Sequence, residues 1–247
     1  TPRGIGVLSE CWGVCPSVIS LETRMAAEPI ESPSNGPERT AAERHGAGAP
    51  FDTRMADLKR RLLREATMAI QMLEKSINIL WALDHARAAE LRRDDDRVDR
   101  EEIAIEHECR EILSLFSPVA RQFRSITCEL KVNSDLERVA DHACSIAKVA
   151  TRLDGSVAWP TALRDMATRV PGMCHELLRV ILDEDVEAAQ SLVRGDNIID
   201  GIDHQLFDEI VTNLVRTGGV EASANGLLLY RAGRELERVG DLVANIA

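Results

Sequence analysis

Ser134–Ala150 reads SDLERVADHACSIAKVA, and Arg234–Ala247 reads RELERVGDLVANIA. The tetrapeptide Leu136-Glu137-Arg138-Val139 returns as Leu236-Glu237-Arg238-Val239, followed two residues later by Asp141 and Asp241. Two such copies about a hundred residues apart mark an internal duplication. Val139, Ala140, Ala143, Ile146, Ala147 and Ala150 recur at helical spacing, which predicts one core-facing stripe. Glu137 and Asp141 stand four apart on the adjoining face, as do Glu237 and Asp241. Like charges at that spacing cost a helix about 0.2–0.5 kcal/mol. Carrying that cost twice, at equivalent positions, points to a purpose beyond solubility.

The 247 residues suffice for one large domain or two ordinary ones. Abundant Ala, Leu, Arg and Glu favour helix. A formal charge of -11 argues against binding of duplex nucleic acid and suits binding of cations. With no run of eighteen apolar residues, no membrane span is expected. The six cysteines form no C-x-x-C pair. Cys109, Cys128, Cys144 and Cys174 read as single buried thiols in a reducing, cytoplasmic compartment.

Residues 1–50 are different material. Six of the nine prolines fall there, amid Gly, Ser and Glu, and the stretch reads as a disordered or non-native tail. Its apolar segment is a poor secretory signal, and Cys11 and Cys15 are wrongly spaced for a redox pair. With no initial Met, Met25 and Met55 are candidate starts.

Two helical repeats are expected beyond the tail, over 51–153 and 156–247. The first helix is predicted from an N-cap at Asp52 to about Arg92, with Leu58, Leu62, Ala66, Ala69, Leu73, Ile77 and Leu80 as its stripe. Trp81 reads as core or groove and His85 as surface. The second helix, about Asp94 to Leu115, has Val98, Ile105 and Ile112 as its seam and Asp95, Asp99, Glu102 and Glu106 on another face. Ser117-Pro118 reads as N-cap and first residue of the third helix, which runs to about Leu153. After an Asp154-Gly155-Ser156 linker, Trp159-Pro160 opens a fourth helix running to about Arg194, which Pro171-Gly172 should kink or break. Gly195-Asp196 opens the fifth, where Asp196, Asp200 and Asp203 echo Asp95, Asp99 and Glu102. Thr217-Gly218-Gly219 turns into the last. That helix reaches Ala247 without a cap, as a truncated chain would.

In an antiparallel pair, residues equidistant from the turn lie at one level. The midpoint of Asp95 and Glu137 is residue 116, and that of Asp196 and Glu237 falls between 216 and 217. Both midpoints lie at predicted turns, so Asp95 is expected beside Glu137 and Asp196 beside Glu237. Four carboxylates meeting on neighbouring helices would hold their protons unless a cation balanced them. All-oxygen ligands suit Mg²⁺, Mn²⁺, Ca²⁺ or iron, and zinc is not excluded. The Glu-x-x-His pair of di-iron bundles is absent. The competing reading is a solvated face whose charges Arg97, Arg100 and Arg138 neutralise. His142, facing Leu242 in the other copy, reads as incidental. Asn245 reads either as a polar contact or as a ligand.

DLERVADHACSIAK and ELERVGDLVANIA resemble the signature of the PhoU family, a doubled E/D-x-x-x-D motif, over about residues 52–247. The resemblance implies an all-α fold of two tandem antiparallel three-helix bundles. It implies multinuclear metal sites, often iron, on the bundle surface, at Asp95, Asp99, Glu137 and Asp141 and at Asp196, Asp200, Glu237 and Asp241. It further implies a cytosolic regulator of phosphate uptake and signalling, often a homodimer. The partners it implies are the ATPase of the phosphate ABC transporter and a phosphate-sensing histidine kinase. Ala140 replaces a usual Gly, and Leu242 a frequent His. No nucleophile–base pair, phosphate loop or zinc-type cluster appears, so the chain reads as a regulator rather than an enzyme. The rivals are a carboxylate-bridged metal enzyme and a metal-free helical scaffold.

Overall fold

The computed structural model describes residues 41–154, 157–183 and 185–247, with side chains from residue 50 onward. Of the tail expected over residues 1–50, residues 1–40 lie outside the described residues, and residues 41–50 belong to the first helix. Six helices and no strand occur among the described residues. They are α1 (Ala41–Ala82), α2 (His85–Phe116), α3 (Arg121–Ala150), α4 (Thr161–Asp183), α5 (Val186–Thr217) and α6 (Val220–Ile246). Within each repeat the three helices pack on one another, and α3 against α6 with α1 against α4 joins the two. The fold is all-α, two three-helix bundles in tandem. No helix among the described residues is long and apolar enough to cross a membrane.

The apolar stripes are buried as their spacing predicts. Leu58, Leu62, Leu73 and Leu80 of α1 face Val98, Ile105 and Ile112 of α2 and Val139, Ala143 and Ile146 of α3 in one continuous core. Cys109, Cys128, Cys144 and Cys174 are buried, as their place in the helical pattern predicts. Trp81 is half-buried against Trp159, the ring centroids 4.7 Å apart, and Arg164 lies over the Trp81 ring.

Several boundaries differ from expectation. The first helix begins at Ala41, so Asp52 lies inside it and is not its cap. It ends at Ala82 rather than near Arg92, because Leu83 takes a positive φ and Asp84 caps α2 by accepting from the Arg87 amide at 3.0 Å. The second repeat copies the device: α4 ends at Asp183 rather than near Arg194, and Asp185 accepts from the Ala188 amide at 2.9 Å. Both caps sit eleven residues before the acidic stripes, inside what reads as unbroken helical pattern. Pro171 lies within α4, which runs unbroken through it. Ser117 closes α2 in the left-handed region instead of opening α3, since a residue before proline is disfavoured in the right-handed helical region. In the second repeat Gly218 and Gly219 turn the chain at φ 64° and 90°, where glycine is unstrained.

His142 is not incidental. Its Nδ1 lies 2.7 Å from Glu235 Oε2, a direct link between α3 and α6.

Candidate metal centres

The acidic side chains converge in two places, one per repeat. In the second, single carboxylate oxygens of Asp200, Glu237 and Asp241 lie within 4.8 Å of one another. Among the described residues this is the one such trio of Asp, Glu, His or Cys. Around it, Asp196 Oδ1, Asp203 Oδ1 and Glu237 Oε2 are buried without a hydrogen-bond partner. Burial, then the charges of Asp241 and Asp200, push the Asp196 carboxyl up to about 6. Burial also raises Asp241, with Asp200 adding to it. Glu237 is raised by burial and by Asp241, against the lowering pull of Arg234. Arg234 Nη1 reaches Glu237 Oε1 at 3.0 Å and Asp203 Oδ2 at 3.3 Å. A Cβ added at Gly240 would stand 3.5 Å from Asp196 Oδ1, an ordinary contact, so alanine at the equivalent Ala140 is accommodated.

In the first repeat, Glu137 is pushed up to about 7 by burial and by Asp141, Glu102, Asp99 and Asp95, in that order. Asp95 is raised by burial and by Asp99 and Asp141, while the Cys144 thiol beside it and Lys148 oppose the shift. Its Oδ1 is buried without a partner. Burial pushes the Cys144 thiol up to about 12, and neighbouring Asp95 adds to that. Glu102 rises by burial and by the charges of Glu106 and Asp99. Two of the three arginines named for neutralising this face pair with other carboxylates: Arg97 with Asp94 and Arg138 with Asp135.

All eight carboxylates singled out in the sequence therefore gather in these two clusters, but one turn out of the expected register. Asp95 sits by Asp141 and Cys144, with Glu137 its more distant neighbour; Asp196 sits by Asp241. The turn centres explain the shift. The first lies within residues 117–120 and the second at Gly218-Gly219, each about two residues beyond the assumed midpoint.

Four further residues belong to these sites. Glu102 and Asp203 join them from the acidic stripes of α2 and α5. Arg234 enters the second, where the first repeat has Ser134. Glu65, on α1, is completely buried at 0% exposure, both its oxygens without a partner. Burial and then the charges of Glu102, Glu101 and Glu137 push it up to about 9. Its signal was present in the sequence: a glutamate seven residues after Leu58 and three after Leu62, inside the apolar stripe.

As a chemical device, each cluster is an all-oxygen donor set on the flank of a bundle, fitted to a hard or borderline multivalent cation. Orphaned buried carboxylate oxygens are the observation favouring such an occupant, since burying them without one is costly.

The chain matches the PhoU domain twice, over residues 62–150 and 163–247. A curated relative from Deinococcus radiodurans, named a phosphate-specific transport system accessory protein PhoU homolog, is 34% identical over 198 residues, 78% of this chain and 92% of the relative. One of the same name from a Burkholderia species is 27% identical over 202 residues, 80% of this chain and 85% of its own length. The crystal structure of PhoU from Pseudomonas aeruginosa superposes with a TM-score of 0.75 at 28% identity, covering 79% of this chain and 94% of that one. The phosphate transport system regulatory protein PhoU from Streptococcus pneumoniae gives 0.74 at 26% identity, covering 79% and 92%.

Proposed function

The chain belongs to the PhoU family, and on that premise we propose that it is a metal-binding accessory protein that regulates phosphate uptake. Its relatives are named as accessory or regulatory proteins, which supports a role exerted through protein contacts rather than turnover. The partners that fit are the ATPase of the phosphate ABC transporter and a phosphate-sensing histidine kinase, met at the cytosolic face. A homodimer is part of this reading. Exposed apolar side chains at the bundle tips supply surface for such contacts: Leu115, Val119 and Phe123 at one, Val215, Val220 and Leu227 at the other.

The observation that carries the metal reading is the Asp200–Glu237–Asp241 trio, ringed by orphaned buried oxygens. Asp196 and Asp203 complete its surroundings, and Asp95, Asp99, Glu102, Glu137 and Asp141 form the counterpart. Multinuclear iron fits these donors, as do Mn²⁺, Mg²⁺ and Zn²⁺. A bound cation would supply positive charge that holds the helices in register and presents a charged surface to a partner.

Elemental analysis of protein purified from metal-supplemented culture tests this. Metal should be present, and Asn at Asp99, Asp141, Asp200 and Asp241 should strip it; unchanged content refutes the ligand assignment. Capture of the transporter ATPase and the kinase on the immobilised chain should weaken on chelation. Equal capture with and without metal would favour a metal-free scaffold instead.

A further inference from the structure

Aligned on their caps, Asp84 and Asp185, the repeats put different side chains on the same outward face of α2 and α5. In the half of α5 nearest the Gly218-Gly219 turn, that face carries Phe207, Val211 and Val215, which are 52%, 41% and 84% exposed. The matching residues of α2 are Glu106, Arg110 and Ser114. Glu106 and Arg110 form an exposed ion pair at 2.7 Å, and the Ser114 hydroxyl donates to the Arg110 carbonyl. The same three-helix bundle is therefore built with polar residues at these positions, and its packing does not call for apolar ones. The patch continues onto α6. The Tyr230 and Phe207 rings meet edge to face, centroids 5.6 Å apart, and Leu227 is exposed where α3 has Thr127.

His204, Phe207, Val211 and Val215 follow one another at spacings of three, four and four residues, the interval of a helix-packing seam. On an exposed face that seam lacks its opposite half. A second α5, running antiparallel, supplies it. About a two-fold axis at Val211, Phe207 of each copy meets Val215 of the other and Val211 meets its own counterpart, the self-complementarity of an isologous contact. The charges obey the same axis. Asp208 and Arg216 are both exposed on one flank of the seam, and their midpoint is Thr212. Paired copies thus set Asp208 of each beside Arg216 of the other, twice. Within one copy Arg216 donates to Asn213 Oδ1 at 2.9 Å, a neutral acceptor that a carboxylate outmatches. An axis at the middle of α5 would do the opposite, setting Asp200 of one copy against Asp200 of the other.

We propose that the chain dimerises through the turn-proximal half of α5, with Leu227 and Tyr230 of α6 widening the contact, so that a second copy of the chain covers this face. This rests on the homodimer of the functional reading above and gives it a surface. The exposed apolar area, on the order of several hundred Å², is near the upper end of what a monomer leaves in water. With its charged rim it approaches the ~800 Å² per partner of a standard interface. Asp200 lies about 16 Å along the helix from Val211, so the acidic clusters stay clear of the seam. The first repeat, with an ion pair on the equivalent face, takes no part.

Sedimentation equilibrium on the full chain tests this. The parent should dimerise in the micromolar range. Phe207→Glu with Val211→Arg, which installs the residues of the first repeat, should weaken the dimer about a hundredfold. Helicity should be unchanged, as should the urea midpoint at concentrations where both chains are monomeric. Arg216→Asp alone sets like charges together and should weaken the dimer about tenfold; adding Asp208→Arg should restore it. The charge reversals, on an exposed rim, carry the test if the first variant fails to fold. A dimer unaffected by Phe207→Glu with Val211→Arg overturns the inference and leaves the homodimer reading intact on another face. A dimer weakened by Arg216→Asp and not restored by the double reversal overturns the antiparallel pairing. A parent chain that stays monomeric throughout overturns the inference and the homodimer together.

Discussion

The two repeats are copies in outline and opposites in their interiors. Each has a buried seam, an aspartate cap at equivalent positions and an acidic pair on each of two helices. Under that common exterior, the first keeps Glu65, Glu129 and Asn133 where the second keeps Met166, Leu229 and Gly233. The second spends an arginine on its cluster; the first has Ser134 in that place. Duplication preserved the surface geometry that gathers carboxylates and left the charge balance beneath it free to drift. On the metal-binding reading proposed above, the motif would set where a cation sits, and the residues under it would set the charge that the cation meets.

The largest separation between the repeats is expected with rising pH in the absence of metal. A carboxyl whose folded pKa is raised leaves stability fully present below its ordinary value, and that stability is lost as pH climbs through the folded one. Glu65, raised to about 9, should erode stability from about pH 4.5 to 9, by on the order of several kcal/mol. Glu137 adds to the loss up to about 7, whereas Asp196 in the second repeat stops at about 6. Urea denaturation of metal-free protein between pH 5 and 9 should show the decline, and Glu65→Met should flatten it. A slope unaltered by that substitution breaks the contrast.

Metal comes next. At a cation concentration a hundredfold above Kd, loading a site should raise stability by about 2.7 kcal/mol. Melting with and without chelator measures this, and Asp200→Asn with Asp241→Asn should remove only the contribution of the second repeat.

Packing distinguishes the repeats as well. A Cβ at Gly233 would stand 2.1 Å from Leu206 Cδ2, so Gly233→Ala should cost about 2 kcal/mol by overpacking, read from the urea midpoint. The first repeat has Asn133 at the same position and Ile105 at that of Leu206.

Where the repeats agree, matched substitutions should agree too. Asp84→Ala and Asp185→Ala each remove one cap bond of nearly the same geometry, for about 1 kcal/mol apiece. Unequal costs would mean that the caps are not equivalent. Smallest of all, Arg234→Ser should tighten cation binding in the second repeat about threefold, roughly 0.65 kcal/mol by isothermal titration, since a half-exposed charge is well screened.

Much of this was legible in the residues. The duplicated motif, the apolar stripes and the glycine turn gave the helices, and the eight carboxylates at matched spacing gave the two clusters. The register slipped by one turn because a midpoint argument assumes a loop of no length. Ser117 misled because serine before proline reads equally as the end of one helix or the start of the next. Asp84 and Asp185 were passed over because a helical pattern continues on both sides of them. Glu65 was hidden by its setting: the pattern that predicts burial of its neighbours predicts its own, and a buried glutamate reads as an error until structure shows what surrounds it. Arg234 stood in plain view, but only a folded chain shows which of its acidic neighbours it reaches.

The seam between the repeats has a practical corollary. α3 lies along α6 and α1 along α4, His142 bonds Glu235 across the join, and one unbroken apolar interior spans both halves. A chain severed between Asp154 and Val157 would leave each fragment with a raw oily flank shaped to fit the other. Separately produced fragments should find each other in solution and reconstitute the parent, which makes the junction a natural place to split the molecule into a two-part reporter. Fragments that stay apart at micromolar concentration would mean that the covalent tether, not the shared interior, keeps the halves together.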